Sequence, residues 1–406
     1  MGDTRETKNE RLPVPPHPGD HTLGMDVHQK TTSLCLMDNS GRIEKEWTIP
    51  TTRKMLDQLH RELPKLCGDA RVILGLEAST AGKMVFQHLR KLGRETYMAH
   101  PAKLRAIITS ETKTDRNDAW EIADLLRCNR FPQSYVPSEE MEQVRTLLRV
   151  RGEVVEKLKR AKNQVHALLV KNDQYERASH FNDIFGAQAL RYLEKVGFAD
   201  PVDQVQLRIL LEEAELYRRQ EEEFNVELSK LGLKTPQVEL FQSVPGIDYR
   251  LALTIVGEVG DIHRFPNRKK FAAYCGVVPK NRDSGGRVAE HAKKRHGNPR
   301  LTWAFTTAVK AAQRGRSRFA TLYRTLVHRL GPAKATMAVA HRIAFVVYGM
   351  WKSGKPYHES DEQEGSYAAK KRALVRRAKK EVKVPTLSDV VGKLLSPPTP
   401  GGATNS

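Results

Sequence analysis

Apolar and polar positions alternate along His21–Met37, a turn signal follows at Asn39-Ser40-Gly41, and extended character resumes over Arg42–Ile49. This pattern predicts a meander of strands. Met55, Leu56, Leu59 and Leu63 then share a helical face, and Val72–Leu76 is a short apolar run ending at Glu77. A helix is expected from about Gly82 to Leu92 and a short strand at Thr96–Ala99. Strands joined first by turns and then by helices predict an α/β domain with a mixed sheet. It closes with a helix over Asp115–Arg127, whose apolar face is Ile122, Ala123, Leu125 and Leu126.

The pattern changes after Ser138. Val144, Leu147, Leu148, Val155, Leu158, Val165 and Leu168 recur at helical spacing in a highly charged stretch to about Lys171, which predicts a helical arm or a coiled-coil-like hairpin. Further helices are expected over Ala187–Val196 and Val202–Leu231, where the charges leave a narrow apolar stripe. That stripe suits a dimer contact and suits packing against the chain's own helices equally well. Gly232 and Pro236 precede a second unit that begins Val244-Pro245-Gly246-Ile247 and continues through the helical Leu251–Val259. It takes in Phe271–Gly276 and the glycine-rich Asp283-Ser284-Gly285-Gly286, and ends with helices through Trp351. No period of about 20–50 residues marks a repeat protein.

The expected organisation is a disordered leader over 1–20, an α/β domain over 21–136 and a helical, coiled-coil-like region over 137–235. A mainly helical domain over 236–354 and a basic, largely disordered tail over 355–406 complete it. The length of 406 residues agrees with two or three domains and excludes a single small module. The most apolar candidate for a membrane span, Ile343–Trp351, follows His341 and Arg342 and stops at Lys352, far short of the ~18 residues required. The charged, proline-rich start lacks the apolar run of a signal peptide, so a cytoplasmic protein is expected. Cys35, Cys67, Cys128 and Cys275 are too scattered for a zinc pattern and are expected to be reduced core residues.

Charge narrows the field further. Lys and Arg number 68 against 48 Asp and Glu, a formal net charge of +20. From Ile262 to Leu330 there are 17 basic residues and 2 acids, and a second basic cluster lies at Lys370–Lys383. Such concentration is the footprint of a polyanion, because each neutralised phosphate releases condensed counterions. The alternative is a solvated surface kept soluble by its charge.

Against this basic background four acids stand out: Asp26 in Gly24-Met25-Asp26-Val27-His28, Glu77 in Leu76-Glu77-Ala78-Ser79, and the pair Asp115 and Asp118. Asp26 and Glu77 interrupt or end apolar extended runs, where an acid has no packing reason to be. Asp115 and Asp118, three residues apart, share a helix face. Crowded carboxylates persist best around divalent cations. Mg²⁺ prefers oxygen ligands, and two such ions can stabilise both oxygens of a phosphoryl transfer. Singly, Asp26 could end a strand, Glu77 cap the next helix, and Asp115 or Asp118 satisfy helix N–H groups. In combination, a shared metal site is the better reading.

A second constellation surrounds Ser284, whose two following glycines permit a tight turn that exposes Oγ. Lys280, Arg282, Arg287, Lys293, Lys294 and Arg295 would balance a phosphate there. An ordinary Ser-Gly turn beside a nucleic-acid surface gives the same string. Val244–Asp248 reads either as a helix-hairpin-helix-like turn presenting amides to a phosphate or as a plain Pro-Gly turn. Of Tyr249, Phe265, Phe271, Tyr274, Trp303 and Phe305, most are expected in the core and not stacked on bases.

Taken together, Gly24–His28, Leu76–Ser79, Lys113–Ala119, Val244–Ile247, Phe271–Pro279 and Ser284-Gly285 resemble, in order, the motifs of DEDD transposases of bacterial insertion sequences. The resemblance covers about residues 21–350. It implies an RNase H/RuvC-like fold for 21–136, with Asp26, Glu77, Asp115 and Asp118 as the metal-binding acids. It further implies a serine-containing transposase domain over 236–354, with Ser284 as the nucleophile that links covalently to a DNA phosphate. Two Mg²⁺ ions, with Mn²⁺ as a substitute, are the implied cofactors. DNA, a structured guide RNA encoded by the element, and a homodimer or homotetramer are the implied partners. Asp248 departs from the glycine with which the family often continues this turn. The competing functions are a junction-resolving nuclease that uses the four acids with water, and a non-catalytic nucleic-acid-binding protein.

Overall fold

The computed structural model describes residues 14–107, 115–181, 184–278, 297–359 and 362–380, with the side chains of 115–117, 187 and 362–368 outside that description. The chain divides into two units after Val136. In the first, β1 (His21–Val27), β2 (Thr31–Asp38) and β3 (Ile43–Pro50) form an antiparallel meander. The alternating stretch read as continuous from His21 to Met37 reverses at His28–Thr31, where His28 N donates to Thr31 O at 2.9 Å. After α1 (Arg53–Cys67), β4 (Val72–Glu77) adds parallel to β1. After α2 (Thr80–Lys91), β5 (Thr96–Ala99) adds parallel to β4. The result is a mixed sheet of order β3-β2-β1-β4-β5, followed by α3 (Pro101–Ile107) and α4 (Asp115–Arg127).

Period-two alternation sorts the strand residues between two cores. Leu23, Met25, Leu34, Leu36, Leu74 and Leu76 pack with Leu56, Leu59 and Leu63 of α1 and Val85 and Leu89 of α2. Their neighbours face α4: Cys35 and Met37 meet Ala119 and Ala123, and Ile73 meets Ile122, Leu125 and Leu126. β4 is apolar at nearly every position because both of its faces are covered.

The second unit is helical. α5 (Glu139–Lys171) starts at Ser138, whose hydroxyl accepts from Met141 N, and three glutamates in its first turn complement the helix dipole. α6 (Tyr175–Ser179) and α7 (Ala187–Leu193) lead to α8 (Pro201–Lys234), which returns antiparallel to α5. Arg151 meets Glu221 and Asn225 near one end of the pair, and Lys171 meets Asp203 near the other. Leu158, Val165, Leu168, Phe185, Leu207 and Leu210 build a core for the distal half. The near halves join the core of the C-terminal helices through Val144 and Leu228, so the chain from Pro137 onward is a single compact unit with no separation near 235.

That larger core is built on α9 (Pro236–Gln242), α10 (Tyr249–Val259), α11 (Arg268–Tyr274), α12 (Pro299–Ala312) and α13 (Arg318–Ser353), the last broken at Gly331-Pro332. α10 is buried at every position except Arg250, which marks it as the central helix. Gly246, at φ +90°, precedes it. A Cβ there would lie 2.1 Å from Ala308 O of α12, so the Pro-Gly turn is packed against that helix. Asp248 caps α10 by accepting from Leu251 N at 2.8 Å.

Several expectations are corrected. The leader is anchored at its end, since Arg71 donates to the carbonyls of Val14 and Pro15 and pairs with Asp20 at 3.1 Å. The tail contains a helix, α14 (Glu362–Ala378). There Leu374 is buried in the larger core, and Lys370 Nζ donates to Gln242 O and Ile247 O. Cys128 is exposed and Cys67 half-buried, whereas Cys35 and Cys275 are buried. Tyr249, Phe265, Phe271 and Phe305 are core residues and Tyr274 packs against them, but Trp303 is exposed. No helix among the described residues is long and apolar enough to cross a membrane.

Candidate active site

On β1 the alternation that sends Leu23 and Met25 toward α1 and α2 sends Gly24 and Asp26 the other way; on β4, Gly75 and Glu77 do the same. The parallel register pairs Gly24 with Gly75 and Met25 with Leu76, and one further step brings Asp26 level with Glu77. Two acids thus end neighbouring strands, roughly 4.8 Å apart in backbone, on the face that α4 covers.

The glycines let the helix close on that face. A Cβ on Gly24 would lie 1.9 Å from Ala119 O and 2.6 Å from Ala123 N, so the α4 backbone occupies the space where a side chain would stand. At Gly75 the corresponding neighbours are side chains, Leu126 Cδ1 at 2.7 Å and Phe131 Cε2 at 3.1 Å. Positions 115, 118, 119 and 122 share one helical stripe, and Ala119 and Ile122 are buried. Asp118 therefore lies on the sheet-facing side of α4, one turn after Asp115, of which only the backbone is described.

Hydrogen bonding separates the acids from their structural alternatives. Ser79, not Glu77, caps α2, since its hydroxyl accepts from Gly82 N at 2.9 Å. Asp26 Oδ2 is 2.9 Å from His28 Nε2, and Glu77 Oε1 is 3.9 Å from Arg105 Nη2. Asp118 Oδ1 is buried without a hydrogen-bond partner among the described residues, as is Glu121 Oε2 one turn further along α4. A buried carboxylate oxygen left alone is costly, and a cation removes that cost. All the donors are carboxylate oxygens, a set that fits Mg²⁺ or Mn²⁺ and not a soft metal. His28, Arg105 and Glu121 were not singled out in the sequence. The spacing Asp118-x-x-Glu121 was the one available signal for Glu121.

The oxygens of Asp26, Glu77 and Asp118 do not all lie within 4.8 Å of one another. Among the described residues, the group that meets that spacing is His21, Glu44 and Cys67, at the opposite end of β1. His21 Nε2 and Glu44 Oε1 are 3.1 Å apart, and burial, with Glu44 adding to it, pushes the Cys67 thiol up to about 11. These three side chains stand together at the start of β1, away from Asp26.

Ser284 and the six basic residues Lys280, Arg282, Arg287, Lys293, Lys294 and Arg295 lie outside the described residues. The flanks of their stretch meet in the second unit. A Cβ on Gly297 would be 2.6 Å from Gly276 Cα, and Asn298 N donates to Tyr274 O at 2.7 Å.

Residues 23–172 match a family model for DEDD transposases of the IS110 type, and residues 238–324 match the model described as the IS116/IS110/IS902 transposase family. The chain is 28% identical over 225 residues to the y4qE protein of Sinorhizobium fredii, a match covering 55% of this chain and 54% of that one. It is 24% identical over 349 residues to the transposase for insertion sequence element IS1111A of Coxiella burnetii, covering 82% of this chain and 90% of that protein. For the transposase of IS1533 from Leptospira borgpetersenii the identity is 24% over 257 residues, 60% of this chain and 71% of that protein.

Proposed function

This chain belongs to the IS116/IS110/IS902 family of insertion-sequence transposases, and from that premise we propose that it cleaves, exchanges and rejoins DNA strands through Ser284 beside a carboxylate-held metal. The observation that carries the reading is the carboxylate face of the first unit. Asp26 and Glu77 end adjacent parallel strands, and α4, packed backbone to backbone on Gly24, adds Asp118 with a buried oxygen that has no hydrogen-bond partner among the described residues. An RNase H/RuvC-like fold for residues 21–136 agrees with this arrangement of a mixed sheet with acids at strand ends.

In this reading Asp26, Glu77, Asp115 and Asp118 hold one or two Mg²⁺ ions, which when bound neutralise charge on the scissile phosphate and the departing oxygen. His28 and Arg105, already beside Asp26 and Glu77, hold those carboxylates in place until the cation binds. Ser284 Oγ attacks phosphorus and its proton passes to solvent. The bond to the deoxyribose oxygen breaks, and that oxygen leaves as a hydroxyl. The phosphoserine ester keeps the bond that the exchanging strand's hydroxyl later takes over, so rejoining needs no external energy source. Because the acids and the serine belong to different units, a site composed between subunits of a dimer or tetramer is part of the proposal. So is guidance by a structured RNA, which the family resemblance supports: pairing would choose sequence while the protein reads backbone and shape.

Single substitutions in an in vitro recombination assay, with the element's ends, target and flanking noncoding RNA, test the reading. Asp118→Asn and Asp26→Asn should each lower strand cleavage at least a hundredfold. Ser284→Ala should abolish both joining and any protein–DNA adduct on denaturing gels. Cleavage that survives Ser284→Ala and still needs metal would replace the proposal with a hydrolytic, junction-resolving nuclease. Unchanged DNA transactions in all three variants would leave a non-catalytic binding protein. Omitting the RNA should prevent target capture, and undiminished joining without it would overturn the guided step.

A further inference from the structure

Trp303 leaves 54% of its surface exposed, so its indole is open to a stacking partner. It stands on α12 in a groove of about 790 Å³ between α5, α10 and α12, wholly within the second unit. Arg149, Lys157 and Arg160 of α5 and Arg300 of α12 line the same groove, against the acids Glu153 and Glu156. Glu258 at its base is 5% exposed and already committed. Its carboxylate accepts from Asn298 Nδ2 at 2.8 Å and lies 3.4 Å from Arg149 Nη2 and 3.8 Å from Arg300 Nε. One buried acid therefore fixes two arginines from different helices at the groove. Arg149 Nε is buried with no acceptor among the described residues. A phosphate oxygen is an acceptor that suits such a donor.

We propose that this groove seats an unpaired DNA strand, with one base stacked on the Trp303 indole and the adjoining phosphates held by Arg300, Arg149 and Arg160. The inference rests on the reading of the chain as a DNA strand-transfer protein and adds the form in which the DNA is held. Unpaired DNA is favoured because an indole face stacks on a base only when the base is free of its own stack, and a duplex hides those faces. With Arg151 and Arg250 counted, the lining carries five guanidinium groups and one ammonium against three carboxylates, an excess that favours a polyanion. Deoxyribose follows from the proposed strand exchange, which must unpair DNA at some step.

The test uses the full-length protein with chelator present, so that no cleavage step enters. Fluorescent oligo-dT, the matching duplex and oligo-rU are titrated by anisotropy. Trp303→Ala should weaken oligo-dT binding roughly tenfold to a hundredfold, with duplex affinity changed less than twofold. Trp303→Phe should recover most of the loss, because a smaller ring still stacks. Arg160→Gln should lower the slope of log affinity against log salt by roughly 0.7 for the single strand. Equal losses on duplex and single strand would overturn the proposal. So would no loss, a change in oligomeric state with oligo-dT binding intact, or a response confined to oligo-rU. Since binding is read without catalysis, strand transfer can fail while this groove is confirmed, and the groove can fail while strand transfer stands.

Discussion

Gly24 decides how closely α4 can approach the acids. Its missing Cβ is replaced by the carbonyl oxygen of Ala119, a backbone atom that cannot swing aside. Gly24→Ala must therefore lift the helix from the sheet, at about 3 kcal/mol or more, the upper end of overpacking costs. Gly75→Ala meets the tip of Leu126, which can turn, and should cost nearer ~1 kcal/mol. Thermal denaturation of both variants checks the order, and equal shifts would remove Gly24 from this role. Cleavage by Gly24→Ala should also fall more than its folded fraction does, because Asp118 moves with the helix. That Asp26 and Glu77 stand apart from the apolar pattern was legible in the sequence, because an acid that ends an apolar run has no packing explanation; that they come level on adjacent strands is set by the β1–β4 register. The part played by Gly24 was not, since Gly-x-Asp in a strand reads the same whether a helix or solvent covers it. Which of the six aromatics would stay outside the core was not legible either: Leu301 and Phe305 are buried, but Trp303 lies on the other side of the same helix.

The pairing of α5 with α8 is set by polar contacts as well as by the apolar stripe. Asp203 is buried on α8 and accepts from Lys171 Nζ at 2.7 Å and Asn172 Nδ2 at 2.9 Å, and these bonds hold its carboxyl below the ordinary carboxylate range. A carboxyl with a lowered folded-state pKa contributes stability that is present above its unfolded value, near 4, and lost as pH falls through the folded value. Helix content in the second unit should therefore melt at progressively lower temperature as pH drops below about 4. Asp203→Asn should flatten that dependence, and an unchanged pH profile in the variant would contradict it. At this scale the sequence was most informative where a period was long or a boundary sharp: β5 at Thr96–Ala99 and α4 at Asp115–Arg127 stand where they were read. α14 escaped notice because its stripe is short and charged. Its packing depends on Leu374 and on Lys370 reaching the carbonyls around the turn before α10, an interaction that spans more than a hundred residues.

Charge distinguishes the two units. Before Pro137 there are 21 basic and 18 acidic side chains, and from there on 47 against 30, so the excess is +3 in the first unit and +17 in the second. A nearly neutral first unit can place carboxylates against a phosphate without first overcoming a strong field of its own, but it contributes little to holding a polyanion. Retention of DNA should therefore depend on the second unit, and the proposed catalysis on the acids of the first. Arg314 and Arg316 are exposed and lie between α12 and α13, and Arg53 and Lys54 are exposed at the start of α1. Every duplex phosphate that a variant no longer neutralises lowers the salt slope by about 0.9. The double variant Arg314→Gln, Arg316→Gln should reduce that slope by about 1.8, whereas Arg53→Gln, Lys54→Gln should leave it within experimental error. Chelation of divalent metal should stop cleavage in all of these proteins while leaving the duplex affinity of each unchanged. Equal slope changes in the two variants would mean that both units grip the duplex. Loss of binding on chelation would mean that the metal is needed to hold the DNA and not only to cut it.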